Sequence, residues 1–151
     1  SLLDKYGVEK IRTISDSYMI ASGVPRGRPD HAQALALMAL EMRDYISTHT
    51  FRDSQRVSFR IGINSGSMIA GVIGRRKFVY DVWGDAVNIA SRMESHGLGG
   101  AVQITQTTYE LIKNEFVCEP RGTVNVKGKG EMDVWLVVSA KQDSRNLSRN
   151  N

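Results

Sequence analysis

Residues 78–94 read Phe78-Val-Tyr-Asp-Val-Trp-Gly-Asp-Ala-Val-Asn-Ile-Ala-Ser-Arg-Met-Glu94. The run changes period at its glycine. Phe78 to Trp83 is short, aromatic and β-branched, as a strand is, and Gly84 stops it. From Asp85 to His96 the apolar residues Ala86, Ile89, Ala90 and Met93 recur at helical spacing. At about 100° per residue, Asn88, Arg92 and Ser95 fall on the side opposite that stripe. Asn88 and Arg92 are four apart, so their side chains lie one above the other on a face that is not core. An amide and a guanidinium placed this way can hold a sugar oxygen and a phosphate. Spacing alone suits two solvated surface residues as well.

The elements continue outward from this run. Residues 9–14 alternate polar and apolar, and 17–22 form a second strand, with Asp16 where a hairpin would turn. The opening Ser-Leu-Leu-Asp-Lys-Tyr reads as the last turn of a helix stopped by Gly7. Gly23, Pro25, Gly27 and Pro29 make a loop, and Asp30 is placed to cap a long helix reaching Thr48. Strands are expected at 57–64, 68–73, 101–104, 117–120 and 132–138, with a helix capped by Thr105 and running to about Asn114. Tight turns between several strands give an α+β class: helices packed on one face of a mainly antiparallel sheet. One domain is expected over 1–140, followed by a polar, disordered tail at 141–151.

Composition excludes several classes. The chain of 151 residues is 41% apolar and 24% charged, ordinary for a globular domain. No run approaches the about 18 apolar residues that a membrane helix needs. The lone Cys118 cannot form an intramolecular disulfide, and its plain reading is a small hydrophobe. His31, His49 and His96 are scattered without cysteine partners, against a zinc site. The net charge of +4 invites a phosphate-rich ligand, with clusters at Arg75-Arg76-Lys77 and at Lys127 and Lys129. No finger or aromatic-interleaved module accompanies it, so nucleic acid is not expected.

The 78–94 run strongly resembles the signature of class III adenylyl and guanylyl cyclases. So do Val8-Glu-Lys-Ile-Arg-Thr-Ile-Ser-Asp-Ser-Tyr-Met19, Arg60-Ile-Gly-Ile-Asn-Ser-Gly66 and Arg121-Gly-Thr-Val-Asn-Val-Lys-Gly-Lys-Gly130. Motifs in this order, from Val8 to Gly130, make a specific match. The resemblance implies a ferredoxin-like, palm-type sheet. It also implies an in-line attack of the ribose 3′ oxygen on the α-phosphorus, helped by two Mg²⁺ or Mn²⁺ ions per site. Asp16 matches the second of two metal aspartates. The first would lie on a strand upstream of residue 1, so residues 1–151 alone are expected to be inactive.

The remaining roles are implied in the same way. Asp81 matches the adenine-reading aspartate, and Arg12 stands where adenylyl cyclases carry lysine, an exchange that alters geometry while keeping charge. Neither is the guanine-type choice, so the resemblance favours ATP. Asn88 matches the ribose-orienting asparagine, and Arg92 the arginine that meets charge at the α-phosphate. Arg60 and Lys127 match the basic residues on the terminal phosphates, while Lys129 has no assigned role and reads as solvated. The family's site is composite, which implies a twofold homodimer in which 75–78 lies at the interface. A cytoplasmic domain is expected, with a membrane anchor or sensor compatible outside this chain. The competing readings are a guanylyl cyclase and a non-catalytic cyclase-like binding or dimerisation domain. A diguanylate cyclase is set aside, since its Gly-Gly-(Asp/Glu)-Glu-Phe run is absent.

Overall fold

A computed structural model describes residues 1–14, 17–24, 26–48, 59–67, 69–73 and 79–141, with the backbone alone described for 14, 69–73 and 79–83. The elements follow the order α1 (Leu2–Tyr6), β1 (Glu9–Ile14), β2 (Ser17–Ala21), α2 (His31–Thr48), β3 (Ile61–Ile63) and β4 (Ile69–Ile73). After these come β5 (Val79–Trp83), α3 (Asp85–Ser95), β6 (Val102–Thr105), α4 (Gln106–Ile112), β7 (Phe116–Val126) and β8 (Gly130–Ala140). No helix among the described residues is long and apolar enough to cross a membrane.

The largest sheet has the order β3-β6-β8-β7. Side chains alternate across a strand, so each strand here sends residues to two opposite layers. Val102 and Ile104 of β6, Ile63 of β3 and Val137 of β8 pack with Ala32, Ala36, Ala39 and Leu40 of α2 and Ile112 of α4. Gln103, between Val102 and Ile104, reaches the other way to α3, and Val134 of β8 packs there with Met93. Helices therefore cover both faces: α2 and α4 on one, α3 on the other. This corrects the expectation of helices on one face. The period of each strand is the physical reason, because β6 and β8 are buried on both sides.

Among the described residues, every strand pair but β3–β6 is antiparallel. Backbone pairing is not continuous across the described residues. The hairpins β1–β2 and β4–β5 each form a two-stranded sheet of their own. A cavity of about 250 Å³ runs along all of β2 and on to Ser22, and is closed by Leu35, by the 64–66 turn and by α3.

The closing strands are longer than the sequence suggests. Pro120 lacks the N–H a ladder needs and reads as a strand end, yet β7 continues to Val126. Register shifts at Val117/Cys118 and Pro120/Gly122, with Gly122 at φ 106°, carry the ladder past the proline. β7 is an edge strand, where a proline is tolerated.

The caps predicted at Gly7 and Thr105 hold, while the side-chain cap expected of Asp30 is not made. Gly7 ends α1 in the left-handed conformation, and Thr105 accepts from the Thr108 N–H at the start of α4. Asp30 stands before α2, where its backbone carbonyl accepts from the Ala34 N–H. Its carboxylate is taken by Arg28 at 2.6 and 2.8 Å, which holds its pKa below the usual range. Arg28 also donates to the Tyr6 carbonyl at 2.7 Å, tying α1 to the start of α2. On α2 itself, Glu41 accepts from Lys5 at 2.8 Å and from the Tyr6 hydroxyl. Lys141, placed in the tail by sequence, is fixed instead: its N–H donates to the Glu115 carbonyl at 2.8 Å. The rest of the expected tail, 142–151, lies outside the described residues.

Candidate active site

The site is organised by α3. Gly84 enters it at φ 132°, a backbone that L side chains rarely adopt, and the helix starts with no side-chain cap. Asp85, the first helical residue, puts a carboxylate at the positive end of the helix dipole. Met93 is fully buried, while Ala86, Ile89 and Ala90 are half-buried. Asn88, Arg92 and Ser95 are exposed. The face predicted from spacing is thus the free face of the helix.

Side chains from elsewhere clasp both ends of α3. At its start, Asn64 donates to the Ala86 carbonyl at 2.9 Å, and Lys129 pairs with Asp85 at 2.7 Å. At its end, the buried Gln103 donates to the Met93 carbonyl at 3.1 Å, and Arg121 to the His96 carbonyl at 2.9 Å. Arg121 also donates to the Gln103 side-chain oxygen, so the two residues form one unit. Sequence reasoning gave Gln103 and Arg121 no role and left Lys129 to solvent. Lys129 is instead the link between the 127–129 turn and the first residue of α3. No local signal marks such residues, because their partners are backbone carbonyls or distant side chains.

The expected site residues fall into groups. Arg12, on β1 opposite Met19, and Asn88 line the same cavity. Asp81 lies in β5 opposite Gly71, on a strand that packs against β1 and leads straight into α3. Lys127 is exposed on the turn that Lys129 pins to the helix start. Arg60 is at the other end, bonded to the Ser95 carbonyl at 3.4 Å and paired with Glu94 at 3.6 Å. Seven residues of helix rise about 10 Å, so Arg60 and Asn88 are held well apart. Asp16 lies between the paired Ile14 and Ser17, outside the described residues, as does 75–78.

A family model for the adenylate and guanylate cyclase catalytic domain matches residues 1–139. The chain belongs to this cyclase family. The cyclase domain is 49% identical over 140 residues to an adenylate cyclase of Mycobacterium tuberculosis, a match covering 93% of this chain and 32% of that protein. The chain thus spans about a third of the length of that relative. Among solved structures, the guanylate cyclase domain of RhGC from Catenaria anguillulae in complex with GTP superposes with a TM-score of 0.85. That match has 38% identity and covers 93% of this chain and 77% of the other. The catalytic core of a rhodopsin-guanylyl cyclase with converted specificity, in complex with ATPαS, gives 0.84 at 39% identity, covering 91% and 75%. The α+β cyclase fold follows from this membership.

Proposed function

We propose that this cyclase domain makes 3′,5′-cyclic AMP and pyrophosphate from ATP, at sites shared between two copies of the chain. The observation that carries the reading is the cavity common to Arg12 and Asn88, beside the exposed stack of Asn88 and Arg92. In the reaction the ribose O3′–Pα bond forms and the bond from Pα to the β-phosphate oxygen breaks. The electron pair leaves on pyrophosphate, and the 3′ proton passes to water. Asn88 orients the ribose and Arg92 meets the charge that grows on the α-phosphate. Losing such a donor costs about 10²–10³ in turnover. Arg12 and Asp81 hold the adenine edge, the carboxylate accepting from the exocyclic amine.

The separation of the phosphate residues within one chain supports a site shared between two copies. Lys127 belongs to the start of α3, and Arg60 is engaged at its far end. A twofold homodimer lets Arg60 and Asp16 of one protomer serve Asn88, Arg92, Lys127 and the base pair of its partner. Asp16, a hard oxygen donor, is the residue that would hold Mg²⁺ or Mn²⁺, which neutralises phosphate charge when bound. The domain would work in the cytoplasm.

The test measures cyclic AMP and cyclic GMP by mass spectrometry, from ATP and GTP, with Mg²⁺ and with Mn²⁺. The chain is run beside a version extended upstream by one strand. Cyclic AMP formed faster than cyclic GMP by the extended version is expected. Faster cyclic GMP would favour the guanylyl reading. No product from folded dimers would favour a non-catalytic binding domain.

A further inference from the structure

The turn after β3 reaches under the first turn of α3 and is wired to three other elements. Asn64 donates through Nδ2 to the Ala86 carbonyl at 2.9 Å, and its Oδ1 accepts from the Thr105 hydroxyl at 2.8 Å. A carbonyl can only accept, so the amide orientation is fixed by its partners. Thr105 is fully buried at the end of β6, and its hydroxyl is close to that of Thr108 at 3.3 Å, also fully buried. Thr108 in turn shares a 2.8 Å hydrogen bond with Ser65. Next along the turn, a methyl group on Gly66 would meet the Ala86 Cβ at 3.2 Å. The polar chain therefore runs from α4, through the end of the sheet, to a carbonyl two residues before Asn88.

We propose that Asn64 is a positioning residue: it sets the first turn of α3 against the sheet and so fixes where Asn88 stands in the cavity. The inference rests on the role given to Asn88 above. Val87 and Ile89 pack this turn against neighbouring strands, but among the described residues the other polar clasps on α3 grip its first residue from the surface or its far end, so Asn64 is the polar link between the end of the sheet and the turn that carries Asn88. Both Asn64 and Asn88 line the cavity, so a shift of that turn is felt where the ribose would sit. Misplacement by about 1 Å costs up to about 10²-fold in rate.

The experiment is a double-mutant cycle in the active enzyme, with ATP as the substrate. Asn64→Asp keeps the acceptor for Thr105 and removes the donor to Ala86. Thr105→Val releases Asn64 from the sheet and serves as the second variant should the first fail to fold. Each is expected to lower kcat about 10- to 100-fold with KM for ATP nearly unchanged. In an Asn88→Ala background the same changes are expected to cost almost nothing more, because the group they position is gone. Equal losses in both backgrounds, or a loss tracking the melting temperature alone, would overturn the proposal. Parental kcat in Asn64→Asp and Thr105→Val, with Asn88→Ala impaired, overturns it while sparing the site. Parental kcat in Asn88→Ala overturns the site reading itself, and this proposal with it.

Discussion

Gly62 of β3 lies directly against the backbone of α3 at Glu94. A methyl group on Gly62 would stand 2.5 Å from the Met93 carbonyl carbon and 2.8 Å from the Glu94 Cα, and closer still to the Glu94 nitrogen. Strand and helix touch backbone to backbone here, at the end of α3 that Gln103 and Arg121 clasp. No flexible side chain is present to give way.

Gly62→Ala is therefore expected to push α3 away from the sheet. Overpacking of this kind costs about 1–3 kcal/mol, and the rigid neighbours argue for the upper end. Urea unfolding should show the loss, and cyclase activity should fall with it. Unchanged stability would mean that α3 does not sit on the sheet as described.

A second prediction concerns pH. Lys5, and after it the Tyr6 hydroxyl, hold the Glu41 carboxyl below its usual range. A depressed carboxylate stabilises the fold above its unfolded pKa, and that contribution is lost as pH falls through the folded value. The clasp between α1 and α2 thus works at neutral pH and fades below about pH 4. Glu41→Gln should melt slightly lower than the parent at pH 7, and the gap should close toward pH 3. The effect is small because the side chain is 38% exposed. A gap that widens in acid would contradict the assignment.

Nucleotide choice supplies a third prediction. Arg12→Glu with Asp81→Cys, in a domain extended upstream, is expected to shift the ratio of kcat/KM from ATP toward GTP by roughly 10-fold or more. A site built to pair with one base edge leaves polar groups unmatched against the other. Unchanged selectivity would remove Arg12 and Asp81 from base reading.

Much of this was legible in the sequence because it is written locally. The glycine break at Gly84, the stripe beneath Asn88 and Arg92, the Thr105 cap and the hairpin on either side of Asp16 each depend on neighbours a few residues away. What was hidden depends on distance. Pro120 reads as a strand end, since the bulge that carries β7 past it is set by its pairing with β8. The placement of α3 on the second face depends on Gly62 and Gln103, a small residue and an amide with no local signature. Lys129 looked solvated because Asp85, its partner, lies far away in sequence.

The most direct measurement mixes two inactive proteins. Asp16→Ala and Arg92→Ala protomers, each in the extended form, are combined at equal concentration and assayed for cyclic AMP. Half of randomly mixed dimers are heterodimers, and each of those holds one intact site of two. The shared site therefore predicts recovery to about a quarter of parental activity. Activity that stays at the level of the separate variants, in mixtures shown to contain heterodimers, would contradict it.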